Sequence, residues 1–323
     1  MEWNRQLKLF MASVAAVLLF FAQSVAALAS GTIIPMGNSI SIQLTLAGVY
    51  VTGDLPLSGK GQSLKAGDRI TDVNGAPVHS LQMLTEQVSA LQDEETVALS
   101  VQREGKELAI GTDGLTFKRS LSFLKDTTEG TGTLTYVDLE GKTYGALGHQ
   151  IIDSSFNSAP DFTSGSIYLS EIEQIKKSSP GHPGYKISSI LDQNETLGTI
   201  VTNSVVGIFG KWNASYNEVL TKPMEVMQPG ELTAGPAEIL TTIEGTKVES
   251  FAIMITEKSP DSFLFTLTDN RLLEKTGGIL QGMSGSPVIQ DGKFAGAVTH
   301  MFVDQPEKGA GLFLGKMTDQ SRK

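Results

Sequence analysis

The stretch that says most about the fold of this chain is Gln281-Gly282-Met283-Ser284-Gly285-Ser286-Pro287. Glycine on both sides of Ser284 permits a sharp turn with positive φ angles, and it lets another group approach the serine without meeting a Cβ atom. An apolar pair, the polar turn 290–293 and the apolar run 295–298 follow. This pattern predicts a glycine-flanked serine directly before a β-hairpin.

Outward from that stretch, short alternating apolar runs are separated by turns. Examples are Thr133–Val137, Thr143–Leu147 and Phe251–Ile255. Strands that repeat as hairpins, without a strand-helix-strand rhythm, are typical of barrels and sandwiches. Glycine is also abundant, at 34 of 323 residues, which fits a fold rich in turns. We therefore expect residues 115–323 to form one mainly β domain.

The serine stretch resembles the nucleophile loop of chymotrypsin-like serine proteases. In that geometry the amides of the serine and of the glycine two residues earlier point at the developing oxyanion, so Ser284 and Gly282 are the expected oxyanion-hole donors. Ser286 is a competing nucleophile. It precedes a proline and lacks a glycine two positions earlier, so Ser284 is favoured.

A serine hydroxyl needs a base at neutral pH, and histidine suits that role. His149 is the best candidate because Gly148 beside it leaves the ring accessible at the end of a hairpin. His182 lies in a proline- and glycine-rich loop and is expected to be exposed. His300 ends the strand that follows the serine hairpin and is a candidate to line the same site.

An acid usually orients the histidine and stabilises it once it is protonated. Asp269 precedes Ser284 by fifteen residues, and Asp153 and Asp192 are the alternatives. Composition does not choose among the three.

The region before residue 115 carries a different pattern. Residues 67–75 read as a short strand ending in an Asn-Gly turn, and an amphipathic helix with Ser80 as its N-cap follows. This arrangement resembles a PDZ domain, so we expect a PDZ-like α+β domain over 33–114. The resemblance places a peptide groove between the strand 40–44 and the helix 80–91. Its expected lining residues are Gly37, Ile40, Ile42, Leu84 and Val88, and His79 near the helix start is expected to be exposed.

The amino terminus combines a basic tip, Met1–Lys8, with the apolar run Leu9–Phe21. This pattern is typical of a signal peptide, and small residues suited to cleavage follow it. The run from Leu9 to Ala29 is also long enough to remain as a membrane-spanning signal anchor. We therefore expect residues 1–30 to be a signal or anchor helix and the remainder to be exported.

Composition excludes several classes of function. The chain has 25 Lys and Arg against 35 Asp and Glu, a net charge of −10, which makes nucleic acid an unfavourable partner. Cysteine is absent, so thiol chemistry and disulfides are excluded, and the four histidines show no metal-ligand spacing. We expect no cofactor and no metal.

Taken together, these features resemble the stage IV sporulation protein B family of serine endopeptidases. The resemblance rests above all on the run from Thr268 to His300, and it extends over nearly the whole chain. It implies a catalytic set of His149, Asp269 and Ser284. An acid so close before the serine is not where a chymotrypsin chain places it, so Asp153 and Asp192 stay open as alternatives to Asp269.

The same resemblance implies a signalling role in sporulation. Such a protein is exported into the space between the two forespore membranes, cleaves its own N-terminal region, and then cuts a membrane-bound regulator of an intramembrane metalloprotease. That cut releases processing of a late mother-cell sigma factor. At the position of Met283, chymotrypsin-like zymogens carry an aspartate that switches activity on. Because this chain lacks that aspartate, we expect its activity to be controlled by release from the membrane, by docking in the groove or by self-cleavage. The alternative is a catalytically inactive exported PDZ-type binding scaffold.

Overall fold

The computed structural model describes residues 33–58 and 63–321, and β-strands dominate it. The strands are β1 Ile33–Pro35, β2 Ser39–Val51, β3 Leu55–Pro56, β4 Ser63–Leu64, β5 Arg69–Val73, β6 Ala76–Pro77, β7 Thr96–Arg103, β8 Lys106–Asp113, β9 Leu124–Asp138, β10 Thr143–Ala146, β11 Phe162–Lys176, β12 Gly184–Ile190, β13 Gly198–Ser204, β14 Gly207–Trp212, β15 Gly235–Thr242, β16 Val248–Lys258, β17 Ser262–Leu267, β18 Leu280–Gln281, β19 Pro287–Gln290, β20 Lys293–Phe302 and β21 Gln305–Phe313. The α-helices of the described part are α1 Leu81–Ser89, α2 Gly114–Ser120, α3 Asn270–Thr276 and α4 Leu314–Ser321, and short 3-10 turns cover Leu121–Phe123 and Ala214–Val219.

The expected signal or anchor segment, residues 1–30, lies outside the described residues. Within the ranges 33–58 and 63–321, no helix is long and apolar enough to cross a membrane.

Six strands form a first closed barrel. They pair in the order β2-β9-β10-β14-β13-β11, and β11 returns to β2 with Ile167 opposite Ile42. Alternate residues of these strands point inward and form one buried cluster, which includes Leu134 and Tyr144. The strands predicted at 133–137 and 143–147 are confirmed as parts of β9 and β10.

A second closed barrel follows in the order β15-β16-β17-β21-β20-β19. The pairing of Glu238 with Ile289 closes it. Its core contains phenylalanines from neighbouring strands, among them Phe251, Phe263 and Phe313, where Phe263 and Phe313 make an edge-to-face contact. Two six-stranded barrels and a smaller module confirm the predicted mainly β, chymotrypsin-like class.

The smaller module packs helix α1 against strands β5, β7 and β8. The Ser80 hydroxyl caps α1 by accepting from the Met83 amide over 3.1 Å, as predicted. Asn74 and Gly75 have φ angles of 53° and 84°, which confirms the Asn-Gly turn.

Strand β2 belongs to both the first barrel and the module, and this corrects the predicted groove. Residues 40–44 pair with β9 on one edge and with β11 on the other, so no free edge remains there for a peptide. Ile40 and Ile42 are buried in the core of the first barrel, whereas Leu84 and Val88 belong to the core of the module. Gly37 faces the second barrel, because a Cβ there would lie 2.7 Å from Val248.

Candidate active site

The nucleophile loop, residues 281–287, joins β18 to β19 in a conformation that depends on its glycines. Gly282 and Gly285 both have φ angles of +95°. A Cβ on Gly285 would lie 2.1 Å from the carbonyl oxygen of Thr133, so no other residue fits there. Ser284 is half-buried at the turn, while Ser286 is fully buried.

Hydrogen bonds from both barrels hold this loop. From strand β9, the Thr133 amide donates to the Ser284 carbonyl over 3.0 Å and the Thr133 hydroxyl donates to the Gly282 carbonyl over 2.7 Å. From the second barrel, Gly285 donates to the Val298 carbonyl over 2.7 Å. The first barrel therefore takes part in shaping the serine turn.

The amides of Gly282 and Ser284 are the expected oxyanion-hole donors. Within the part of the chain that the structure describes, neither N–H has a hydrogen-bond acceptor, although the Met283 amide between them donates to the Leu280 carbonyl. Two unpaired donors beside a serine are the chemical requirement for holding a developing oxyanion.

His149 reaches the same place from the first barrel. It follows β10 through Leu147 and Gly148, both with a φ of +71°. Its Nδ1 contacts the Gln150 carbonyl at 2.9 Å, and its ring centroid lies 5.6 Å from that of His300. Burial lowers the pKa of His149; the Gln150 contact opposes this change, and His300 adds to it. Its imidazole is therefore neutral over a wider pH range than an exposed one.

Ser284, His149 and His300 line one cleft of about 360 Å³. The other lining residues are Thr131, Pro183, Ile279, Leu280, Gln281, Gly282, Val298, Thr299, Met301 and Val303. The Ser284 hydroxyl donates to the Thr299 carbonyl over 3.1 Å. In this conformation the hydroxyl proton points at the Thr299 carbonyl and not at the His149 imidazole.

The three candidate acids have other contacts. Asp269 is the N-cap of α3 and accepts from the Leu272 amide over 3.0 Å. Asp153 pairs with Lys125, and Asp192 caps an exposed turn. None of the three contacts His149 among the described residues, so the predicted assignment of Asp269 as the orienting acid is not supported. The Gln150 carbonyl takes that position at the imidazole.

Sequence reasoning missed a buried lysine under the nucleophile loop. The side chain of Lys186 passes beneath Gly282, where a Cβ would meet it at 3.2 Å, and its Nζ donates to the Thr241 hydroxyl over 3.1 Å. No carboxylate pairs with Lys186 in the described part of the chain, and burial lowers its pKa to about 7. Lys186 lies two residues after the buried Gly184 on β12, so the alternation of a strand places both on the inward face. This alternation is the sequence signal that could have identified Lys186.

The two other histidines do not line the cleft and are exposed, as expected. His182 is exposed in a turn closed by a bridge to Ser179, and His79 is exposed just before α1.

Two closed barrels that bring a glycine-flanked serine and a histidine into one cleft define a serine endopeptidase. Comparison with known families agrees with this class: residues 118–318 match the family described as SpoIVB peptidase S55, and residues 36–113 match the PDZ domain family. The chain belongs to the SpoIVB peptidase S55 family.

Solved structures show weaker similarity. The active form of the Rv3671c protease from M. tuberculosis is 15% identical, with a TM-score of 0.37, over 61% of this chain and 74% of that chain. A Glu endopeptidase in complex with MPD is 10% identical, with a TM-score of 0.36, over 60% of this chain and 86% of that chain. Scores of this size carry no argument about function. No curated protein matches the chain.

Proposed function

We propose that this protein is an exported endopeptidase of sporulation signalling. It cleaves its own N-terminal region and then a membrane-bound regulator of an intramembrane metalloprotease, which triggers processing of a late mother-cell sigma factor. Family membership supports the signalling role, and the basic and apolar start of the chain supports export. The proposed place of action is the space between the two forespore membranes, with the protein anchored there or released after cleavage.

The proposed chemistry rests on one observation: Ser284 and His149 share a cleft with two amides that have no acceptor among the residues that the structure describes. In the neutral imidazole, Nδ1–H donates to the Gln150 carbonyl, so Nε2 is the acceptor. Nε2 takes the Ser284 proton as Oγ attacks the scissile carbonyl, and the amides of Gly282 and Ser284 bind the oxyanion. His149 then passes the proton to the leaving amine, and water hydrolyses the acyl-enzyme.

The cleft wall suggests the kind of substrate. Beside Ser284 it is lined by Ile279, Leu280, Met301 and Val303, with no carboxylate or ammonium among the lining residues that the structure describes. Burying a charged side chain against such a wall is unfavourable. The residue preceding the scissile bond is therefore proposed to be apolar.

The alternative is an inactive exported scaffold that only binds peptides. The observation in its favour is the hydrogen bond from the Ser284 hydroxyl to the Thr299 carbonyl, which leaves the serine turned away from a base. The two proposals differ in whether the chain cuts itself.

Self-processing during expression separates them. Wild type should accumulate N-terminally trimmed species, while Ser284→Ala should not, because loss of the nucleophile typically costs many orders of magnitude in rate. Ser286→Ala is the matched control: it removes a buried hydroxyl that has no hydrogen-bond partner in the described structure, and it should trim like wild type. Equal trimming of all three would show that a host protease acts, and would overturn the enzymatic proposal.

A further inference from the structure

The channel between the end of β2 and helix α1 already holds a strand of the same chain. On this edge, Tyr50–Val51 pairs in antiparallel register with Leu124–Lys125. The Thr52 amide and the Thr52 hydroxyl both donate to the Phe123 carbonyl, over 2.8 and 2.9 Å. We call residues 121–126 the groove segment. Its main chain makes the hydrogen bonds that an added peptide strand would make.

The groove segment begins with the 3-10 turn Leu121–Phe123, and its extended part starts at Leu124. Leu124 is only 6% exposed and packs in the cluster that contains Leu84 and Val88 of helix α1. Phe123, its neighbour, is 46% exposed. The Leu124 side chain therefore fills the apolar part of the channel, whereas Phe123 faces solvent.

A carboxylate completes the contact. Asp126 accepts a hydrogen bond from the amide of Leu81, the first residue of α1, over 2.8 Å. The positive end of a helix favours a negative charge at this place. A main-chain ladder, a buried leucine and a carboxylate at the helix start together occupy the site by which a module of this kind would take a foreign peptide.

The same segment is connected to the nucleophile loop and to the stretch that follows His149. Strand β9 runs on from it to Thr133, which holds the nucleophile loop through two hydrogen bonds. Lys125 of the groove segment pairs with the buried Asp153, in the stretch that follows His149. Removing the segment from the channel would therefore disturb the supports of Ser284 and His149 together.

We propose that the groove of the PDZ-like module is an intramolecular docking site whose resident ligand is the groove segment. A free peptide of the same chemistry, with an apolar residue and a carboxylate two positions later, enters only by displacing it. Because the segment is tethered, its effective concentration at the groove is on the order of millimolar, and a free peptide competes poorly with it. This inference does not rest on the proposed peptidase function, because occupancy of the groove is measured by binding and not by hydrolysis.

The test uses the full chain carrying Ser284→Ala, so that the probe is not cut. The probe is a fluorescent peptide with the sequence of residues 121–127, and its anisotropy reports binding. Adding Leu124→Ala should strengthen probe binding by at least about tenfold, because the resident segment loses its buried side chain. Phe123→Ala is the matched control and should bind the probe as weakly as the parent, since that side chain is exposed.

Asp126→Asn is a second variant that weakens the hold of the groove segment and leaves the apolar core intact. It removes the carboxylate from the start of α1 and should strengthen probe binding at least about threefold. It decides the question if the Leu124→Ala protein does not fold. A parent that binds the probe as tightly as these variants would show an open groove, and no gain in either folded variant would show that the channel does not accept peptides. Either result overturns the proposal.

Discussion

Two serines lie two positions apart in the nucleophile loop, and their burial separates their roles. Ser284 borders the cleft, whereas Ser286 is buried and its hydroxyl has no hydrogen-bond partner in the described structure. Gly285 between them packs against the Thr133 carbonyl so closely that no side chain fits. Of the two hydroxyls in this loop, that of Ser284 is therefore the one that a substrate in the cleft can reach.

Substitutions at Asp269 test whether this residue is a helix cap or a catalytic acid, because its contacts are those of a helix cap. Asp269→Asn should keep kcat/KM within about twofold of wild type, since asparagine caps a helix about as well as aspartate. Asp269→Ala should lower the free energy of unfolding by about 1 kcal/mol through loss of the cap. Peptide hydrolysis and thermal unfolding measure the two effects. A loss of several orders of magnitude in the asparagine variant would instead assign Asp269 to the catalytic set.

Lys186 predicts a pH dependence of stability. The pKa of this buried ammonium falls to about 7 in the folded chain, from a usual value of about 10.5 in the unfolded chain. Between these values the unfolded state binds more protons than the folded state, so stability rises with pH. The largest slope is about 1.4 kcal/mol per pH unit.

Lys186→Met removes that dependence while keeping most of the side-chain volume. Compared with the variant, wild type should gain stability steadily as the pH rises from about 7 to about 9. Chemical denaturation at several pH values measures this difference. Parallel stability curves for the two proteins would show that Lys186 does not titrate in this range.

At the scale of elements, strand β9 connects the three parts of the site. It starts in the groove of the module, forms a wall of the first barrel, and presents Thr133 to the nucleophile loop of the second barrel. Helices contribute little to this connection. The shape of the serine turn therefore depends on a strand from another barrel.

A pair of threonines on β9 tests that dependence. Thr133→Val deletes the donor to the Gly282 carbonyl and leaves a buried oxygen unpaired, which costs about 1–3 kcal/mol. Because the nucleophile loop loses this support, we expect kcat/KM to fall about tenfold. Thr135→Val is the matched control, because the Thr135 hydroxyl is buried and has no partner in the described structure. Hydrolysis rates of the two variants should therefore differ. Equal losses would mean that β9 acts only through general stability.

The sequence predicts a strand or a helix correctly where the signal lies within a few neighbouring residues. The alternation at 40–44 predicts a strand, and Ser80 predicts the start of a helix; both predictions are confirmed. The partners of β2 could not be predicted, because they lie far away in the sequence and occupy both of its edges. The predicted groove at Ile40 and Ile42 was wrong for that reason.

The active site shows the same division. Glycine spacing points to Ser284 and the hairpin points to His149; both signals are local, and the structure places the two residues in one cleft. The backbone carbonyl of Gln150 at the imidazole leaves no trace in residue type, since every residue has one. The buried Lys186 was missed because lysine is usually exposed.

At the scale of the whole molecule, the two barrels and the module form one connected β structure. Strand β2 joins the first barrel to the module, and the parallel pairing of β12 with β18 joins the first barrel to the nucleophile loop of the second. The cleft arises where the barrels meet, which explains why Ser284 and His149 lie so far apart in sequence. The cleft that holds Ser284 and His149 therefore depends on the packing of both barrels.

Labelling with a fluorophosphonate reagent measures directly whether His149 activates Ser284, because the reagent reacts with activated serines. Mass spectrometry of the wild-type chain should find the label on Ser284. Ser286→Ala should be labelled equally, and His149→Ala should lose at least about 99% of the labelling rate, because its serine has no base. A label on Ser286, or unchanged labelling of Ser284 in the His149→Ala variant, would contradict the account.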